Sequence, residues 1–314
     1  MDDQTKYYWG KKFIEIVHHN PLADIPLLIL VYLSIYIGIP SASIDWCELN
    51  YTVSPFICEF YNTLSSLIIT FYAVYGIGHN AFHLKVINKH GFRNRLNLGL
   101  FSLAVVGIGS SAFHATLLYQ NQLFDELPMI ITSLIMLYIL MTVGEEDSNK
   151  QSPYRFKGGI LGNTWLRVVM PYLLIAYGLI VSVWIIIIRD QPKILQLSYG
   201  ILIVYIIIHS YYLIKKKGLS LIDDLKSPDV YLYVFAFIAF LVGFVCWVTE
   251  RVFCNDGYVV RGLQLHAVWH VATGLGVFAW IQFLICNLLQ AKNYTVSLHT
   301  FIGIPSVYAN PKAN

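Results

Sequence analysis

Residues 110–143 read "SSAFHATLLYQNQLFDELPMIITSLIMLYILMTV", and two halves of opposite character meet in them. The second half, 122–143, is an apolar run of about bilayer length, close to the twenty residues a spanning helix needs. The first half puts Ser110 and His114 immediately beside that run, and Asp125 stands at its start. Ionisable groups in spanning segments are costly and face an interior cavity, so the stretch reads as a membrane helix entered past a functional site.

The rest of the chain has the same composition. Of 314 residues, 57% are hydrophobic and 12% charged, with a mean hydropathy of +0.60, far from a soluble domain. Apolar runs predict helices over 59–84, 94–114, 122–143, 164–188, 194–214, 229–251 and 262–289. The fold class is therefore all-α, a polytopic membrane protein with a bundle of seven transmembrane helices. Its connections carry turn and charge signals such as "KHGFRNR" (89–95), "GEEDSNKQSP" (144–153) and "KKKGLSLIDDLKSPD" (215–229). A further apolar run, "PLADIPLLILVYLSIYIGIP" (21–40), is an extra N-terminal candidate helix. Residues 1–44 are read as an N-terminal extension, 45–290 as the membrane domain and 291–314 as a C-terminal tail. The formal charge of +3 and the absence of a basic tract with interleaved aromatics exclude nucleic acid as a partner.

Lys and Arg divide fourteen to four between the two sets of loops, which predicts a cytosolic C-terminus and "KKK" loop, and an outer or lumenal "ATLLYQNQ" turn (115–122). On that topology His114 ends the second helix on the outer side and Asp125 begins the third. "GLQLHAVWHVATG" (262–274) sets His266 and His270 four apart on one helical face at the same level. A histidine pair with that spacing and a third from elsewhere is the ligand set of an open zinc site, with water in the fourth position. "GHNAFH" (78–83) repeats the spacing at His79 and His83, but at the opposite end of the first helix.

The outer side carries a second cluster. "SIDWCELNY" (43–51) and Glu59 group Asp45, Glu48, Asn50 and Glu59, hard oxygen donors suited to calcium, although the spacing is not that of an EF-hand. Asn50 also begins an "NYT" sequon, whose glycosylation excludes its use as a ligand. Cys47 and Cys254 fall on the outer side, where an oxidising compartment permits a disulfide, and Cys58 is the alternative partner.

"DWCELNY", the Ser-x-x-x-His of "SSAFH", "LFDELPMI", "CWVTERVFC" and "HAVWH", in that order, resemble the alkaline ceramidase family. That family belongs to a superfamily of seven-helix membrane hydrolases that includes adiponectin-receptor-like proteins. The resemblance implies a zinc amidase that cleaves ceramide to a sphingoid base and a fatty acid, with ceramide and membrane lipids as its partners. It implies zinc on His114, His266 and His270, Ser110 as a hydrogen-bond donor to the developing oxyanion, and Asp125 as the proton-transferring group. It further implies calcium on Asp45, Trp46 (by its backbone carbonyl), Glu48, Asn50 and Glu59, a Cys47–Cys254 disulfide, and residence in the endoplasmic reticulum or Golgi with a lumenal site.

The chain departs from the family pattern in three places. "YYWG" (7–10) lies some thirty residues before the acidic motif rather than a few, with the apolar run between them, so that run reads as an extra helix, a signal sequence or an untrimmed intron. Glu250 stands where the family has aspartate, and Leu49 where a second glutamate is common. The alternatives are a receptor-like member with weak hydrolase activity, a proton-coupled transporter, which lacks the expected half-to-half symmetry here, and a bis-histidine haem protein.

Overall fold

The computed structural model describes residues 41–89, 92–143, 164–188, 192–254 and 260–311. The apolar run 21–40 lies outside them. The described residues form α1 (Phe60–His83), α2 (Lys85–Lys89), α3 (Arg93–Thr116), α4 (Tyr119–Val143), α5 (Thr164–Ile187), α6 (Pro192–Lys216), α7 (Pro228–Phe253), α8 (Val260–Leu263), α9 (Leu265–Ala291), β1 (Tyr294–Phe301) and β2 (Ile304–Pro311). Seven of these helices are long and apolar enough to cross a bilayer, and each coincides with one of the seven runs predicted from the sequence. The protein is a polytopic, all-α integral membrane protein.

Most differences lie at the helix ends. The expected outer turn 115–122 shrinks to Leu117 and Leu118, because Leu117 adopts a left-handed conformation (φ 50°) that reverses the chain in one step. The last predicted helix is broken at Gln264 (φ 49°), which separates the short α8 from α9. Residues 294–311, expected as part of a tail, form an antiparallel hairpin in which Phe301 pairs with Ile304. Its two-residue turn, Ile302 and Gly303, has positive φ at both positions, the geometry that suits the twist of two strands.

The hairpin explains the burial of α9. Every side chain from Phe278 to Leu289 is buried, including Gln282 and Asn287, as expected only of a helix surrounded on all sides. Helices α1 and α7 flank it, and β2 covers a further side, burying Ile304 and Val307 and donating the Val307 N–H to Gln282 Oε1 (3.0 Å). Towards the same end, the Lys217 ammonium, nearly enclosed, bonds Asp229 (2.8 Å) and Gln290 (2.6 Å), tying the ends of α6, α7 and α9 together.

At the other end, small residues bring α1, α3 and α4 into close contact. Lipid tails are as apolar as the side chains, so helices in a membrane associate through tight packing. A Cβ on Gly107 meets the Thr70 amide nitrogen at 2.7 Å and the Ser66 carbonyl at 2.9 Å, and one on Gly109 collides with the Phe124 carbonyl. The second contact presses the residues before Ser110 and Asp125 together.

Candidate metal centre

His114 comes from the last turns of α3, and His266 and His270 from the first turns of α9. Each offers one ring nitrogen, and the three atoms lie within 4.8 Å of one another. All three side chains are buried, and among the described residues they are the one group of three or more His, Cys, Asp or Glu side chains arranged to hold a metal. His114 Nε2 and His266 Nδ1 are buried without a hydrogen-bond partner. Orphaned imidazole nitrogens aimed at a common point are costly unless something fills it, so the donor set fits a bound metal ion.

In His114 and His270 the second ring nitrogen is held by a neighbour. His114 Nδ1 lies 2.5 Å from Glu59 Oε2, which orients the ring and leaves Nε2 free. His270 Nδ1 lies 2.9 Å from the Ser65 hydroxyl. A metal-ligating histidine characteristically uses its second nitrogen in this way, and such partners raise ligand basicity. Trp46 stacks on the His266 ring, with centroids 3.7 Å apart and planes 21° from parallel.

Ser110, one helical turn before His114, points into the same space. Its hydroxyl lies 3.5 Å from His270 Nε2 and accepts from Ser66 (3.0 Å), with the Asp125 carboxyl group of α4 beside it. A hydroxyl donor, a carboxyl group and three convergent imidazoles thus share one buried space, enough for general acid–base chemistry beside a Lewis acid.

The acidic loop closes this end of the bundle. Glu48 accepts from the Tyr61 (2.7 Å) and Asn62 (2.9 Å) amides, capping α1, whose own N-cap residue Glu59 makes no capping bond. Glu59, fully buried, also accepts from the Trp46 amide (3.2 Å) and the Asn62 side chain (3.1 Å). Asn50 donates to Asp45 (3.4 Å), while its own buried Oδ1 has no donor. Burial pushes Glu59 up to about 7 and lifts Glu48 above the usual carboxylate range; burial against the protein, and then the Glu59 charge, lift Asp45 to about 6. Clustered carboxyl groups with an unused amide oxygen beside them are the donor chemistry of a hard divalent cation, but their oxygens are not gathered into one metal-ligating group as the histidine nitrogens are. Cys47 and Cys254 are joined in a disulfide, and Cys58 is a buried free thiol.

His79 and His83 lie at the far end of α1, against Tyr308 of the hairpin and away from the triad. The sequence reading missed several roles. Ser65 and Ser66, in an unremarkable apolar helix, hold His270 and Ser110. Gln122 joins Glu126 (2.8 Å) to the Ser43 amide (2.8 Å). Glu250, which stands where the family has aspartate, accepts from the Cys47 (3.2 Å) and His266 (2.6 Å) amides. Only its proximity in sequence to Cys254 hinted at that role.

The family model describing ceramidases matches residues 38–307, which include the acidic loop, the triad and most of the hairpin. The dcd3A protein of Dictyostelium discoideum is 55% identical over 282 residues, covering 87% of this chain and 95% of its own length. Alkaline ceramidase 3 of Mus musculus is 28% identical, covering 88% and 96%, and alkaline ceramidase YPC1 of Saccharomyces cerevisiae is 28% identical, covering 78% and 76%. Since the match takes in nearly the whole chain and every element that builds the histidine triad, the chain belongs to the ceramidase family.

Proposed function

We propose that this protein is a zinc-dependent ceramidase that hydrolyses the amide bond of ceramide, or of its dihydro or hydroxylated forms, to a sphingoid base and a free fatty acid. One observation carries the reading: three buried imidazoles converge beside the Ser110–Asp125 pair in a membrane bundle of the ceramidase family. His114, His266 and His270 would hold the zinc ion. Bound there, zinc supplies Lewis acidity toward the amide carbonyl and a nucleophilic water near neutral pH.

The protein's own residues do the rest. The Asp125 carboxylate takes the proton that the nucleophile releases and returns it to the departing amine of the sphingoid base. The Ser110 hydroxyl donates a hydrogen bond to the carbonyl oxygen as negative charge develops on it, and Ser66 holds it in place. The acidic loop, through Asp45, Trp46, Glu48, Asn50 and Glu59, holds calcium and supports His114 through Glu59. The site faces the lumen of the endoplasmic reticulum or Golgi, with the C-terminus in the cytosol. The orientation rests on the fourteen-to-four division of loop cations, and the compartment on the family resemblance, with which the disulfide is consistent.

The test is to purify the protein in mild detergent, measure bound zinc by elemental analysis, and follow sphingoid-base release from ceramide. Zinc near one per chain, with activity lost in His266→Ala, is the expected result. Absent zinc, with turnover unaffected by the substitution, would overturn the reading.

A further inference from the structure

We propose that Glu250 and Arg251, at the end of α7, form a clamp that sets the position of His266, which makes Glu250 a positioning residue for the reaction. The proposal rests on the zinc ceramidase reading above. Glu250 is 2% exposed, and its two carboxylate oxygens are divided between two distant parts of the chain. Oε1 accepts the amide of Cys47, 203 residues away, and Oε2 accepts the amide of His266 itself, 16 residues away.

The start of α9 creates the need for this acceptor. Gln264 enters the helix in a left-handed conformation and its side chain does not cap α9, so a first-turn amide is open to an acceptor from another helix. His266 stands at the second helical position, and Glu250 supplies its acceptor from a neighbouring helix at only 2.6 Å. A carboxylate at a buried helix N-terminus has both a charge-assisted hydrogen bond and the helix dipole in its favour.

Arg251 works on the ring of the same residue, through Trp46. Its guanidinium lies 5.3 Å from the Trp46 ring centroid, and Trp46 stacks on the His266 imidazole. The Cys47–Cys254 disulfide joins the residue after Trp46 to the residue three beyond Arg251. Backbone and imidazole of His266 are therefore both located by the end of α7, one through Glu250 and the other through Arg251 and Trp46. Metal ligands tolerate misplacement of only about 0.5 Å, so loosening either arm loosens the ion.

Glu250→Gln tests the first arm. The amide keeps the shape but offers one acceptor oxygen, so its NH2 group faces one of the two amides and leaves that donor unpartnered. Arg251→Ala tests the second arm at an exposed side chain. The experiment uses the zinc-loaded, full-length protein and measures zinc transfer to a chromogenic chelator, kcat and KM on ceramide, and melting temperature. Assays run well below the lowest melting temperature.

Glu250→Gln is expected to release zinc about tenfold faster or more and to lower kcat with KM little changed. Arg251→Ala moves both quantities the same way by a smaller factor. A lower melting temperature with zinc release and kcat at wild-type values overturns the clamp, because helix capping alone produces that pattern. Should Glu250→Gln not fold, zinc release from Arg251→Ala decides, and wild-type release overturns the proposal. A wild type with neither zinc nor ceramide turnover overturns the zinc ceramidase reading itself, whereas variants that match an active, zinc-bearing wild type overturn the clamp alone.

Discussion

Glu59 and His114, 55 residues apart in sequence, meet through two hydrogen bonds, the Glu59 amide donating to the His114 carbonyl (3.0 Å) and the Glu59 carboxylate meeting the His114 ring, so the residue that ends the acidic loop also orients an imidazole of the triad. Both side chains are fully enclosed, and neither has solvent as an alternative partner. The two candidate metal sites are therefore physically continuous.

Glu59→Ala is expected to damage both sites at once. It leaves His114 Nδ1 buried without an acceptor, which costs about 1–3 kcal/mol of stability. Loss of an acceptor behind a metal-bound histidine lowers metal affinity or activity by about 10- to 100-fold. Zinc content, calcium titration and ceramide turnover should all fall in the purified variant, and a change confined to calcium would show that the bond to His114 has no role in the triad.

Ser110→Ala separates a hydrogen-bond donor from the metal ligands. If the hydroxyl steadies charge on the carbonyl oxygen, kcat falls by about 100- to 1,000-fold while KM and zinc content hold. Steady-state kinetics alongside elemental analysis checks this. Loss of zinc together with activity would instead make Ser110 a support for His270, to which it is also close.

Gly109→Ala probes the packing behind the site. The added methyl collides with the Phe124 carbonyl, so α3 and α4 have to separate, and Ser110 moves away from Asp125. Overpacking of this kind costs about 1–3 kcal/mol, measurable as a lower melting temperature in detergent, with a fall in kcat. Gly78, with open space around its Cβ position, is the control, and Gly78→Ala should leave kcat unchanged.

The acidic loop predicts a pH-dependent coupling to calcium. Glu59 sits at about 7 and Asp45 at about 6, both above the values near pH 4 at which such groups ionise in an unfolded chain. A raised folded value means that these groups contribute stability below about pH 4, and that it is lost as pH rises through 6 to 7. Without calcium, the melting temperature should therefore fall between pH 5 and 8 in thermal scans. Added calcium should reverse the fall, and its affinity should rise over the same window as protons leave. A calcium affinity independent of pH between 5 and 8 contradicts the assignment of Glu59 as a ligand.

The path from sequence to site was legible where chemistry is encoded locally. His266 and His270 share a face because four residues make about one helical turn, and "DWCELN" groups its oxygen donors by simple adjacency. Ser65, Ser66 and Glu250 were not legible as site residues. A serine in an apolar helix has no sequence signal for its partner, and Glu250 reaches His266 only because Gln264 breaks the last helix and turns its amides toward α7. Residues 294–311 read as part of a tail because their alternation (Tyr294, Val296, Leu298) is short, and their burial depends on packing against α9.

The amino-acid sequence by itself determined the seven spanning helices and the donor types available at one end of them. A bilayer demands about twenty apolar residues per crossing and penalises every polar group left inside it. Only the tertiary structure decided which donors meet. Gly107 and Gly109 allow α1, α3 and α4 to close on Ser110 and Asp125, and α9 lies buried among its neighbours with His266 and His270 turned toward His114. Contacts between residues 55 or 203 positions apart follow from how helices pack, and packing depends on the shape of all the surfaces together rather than on any one stretch of chain.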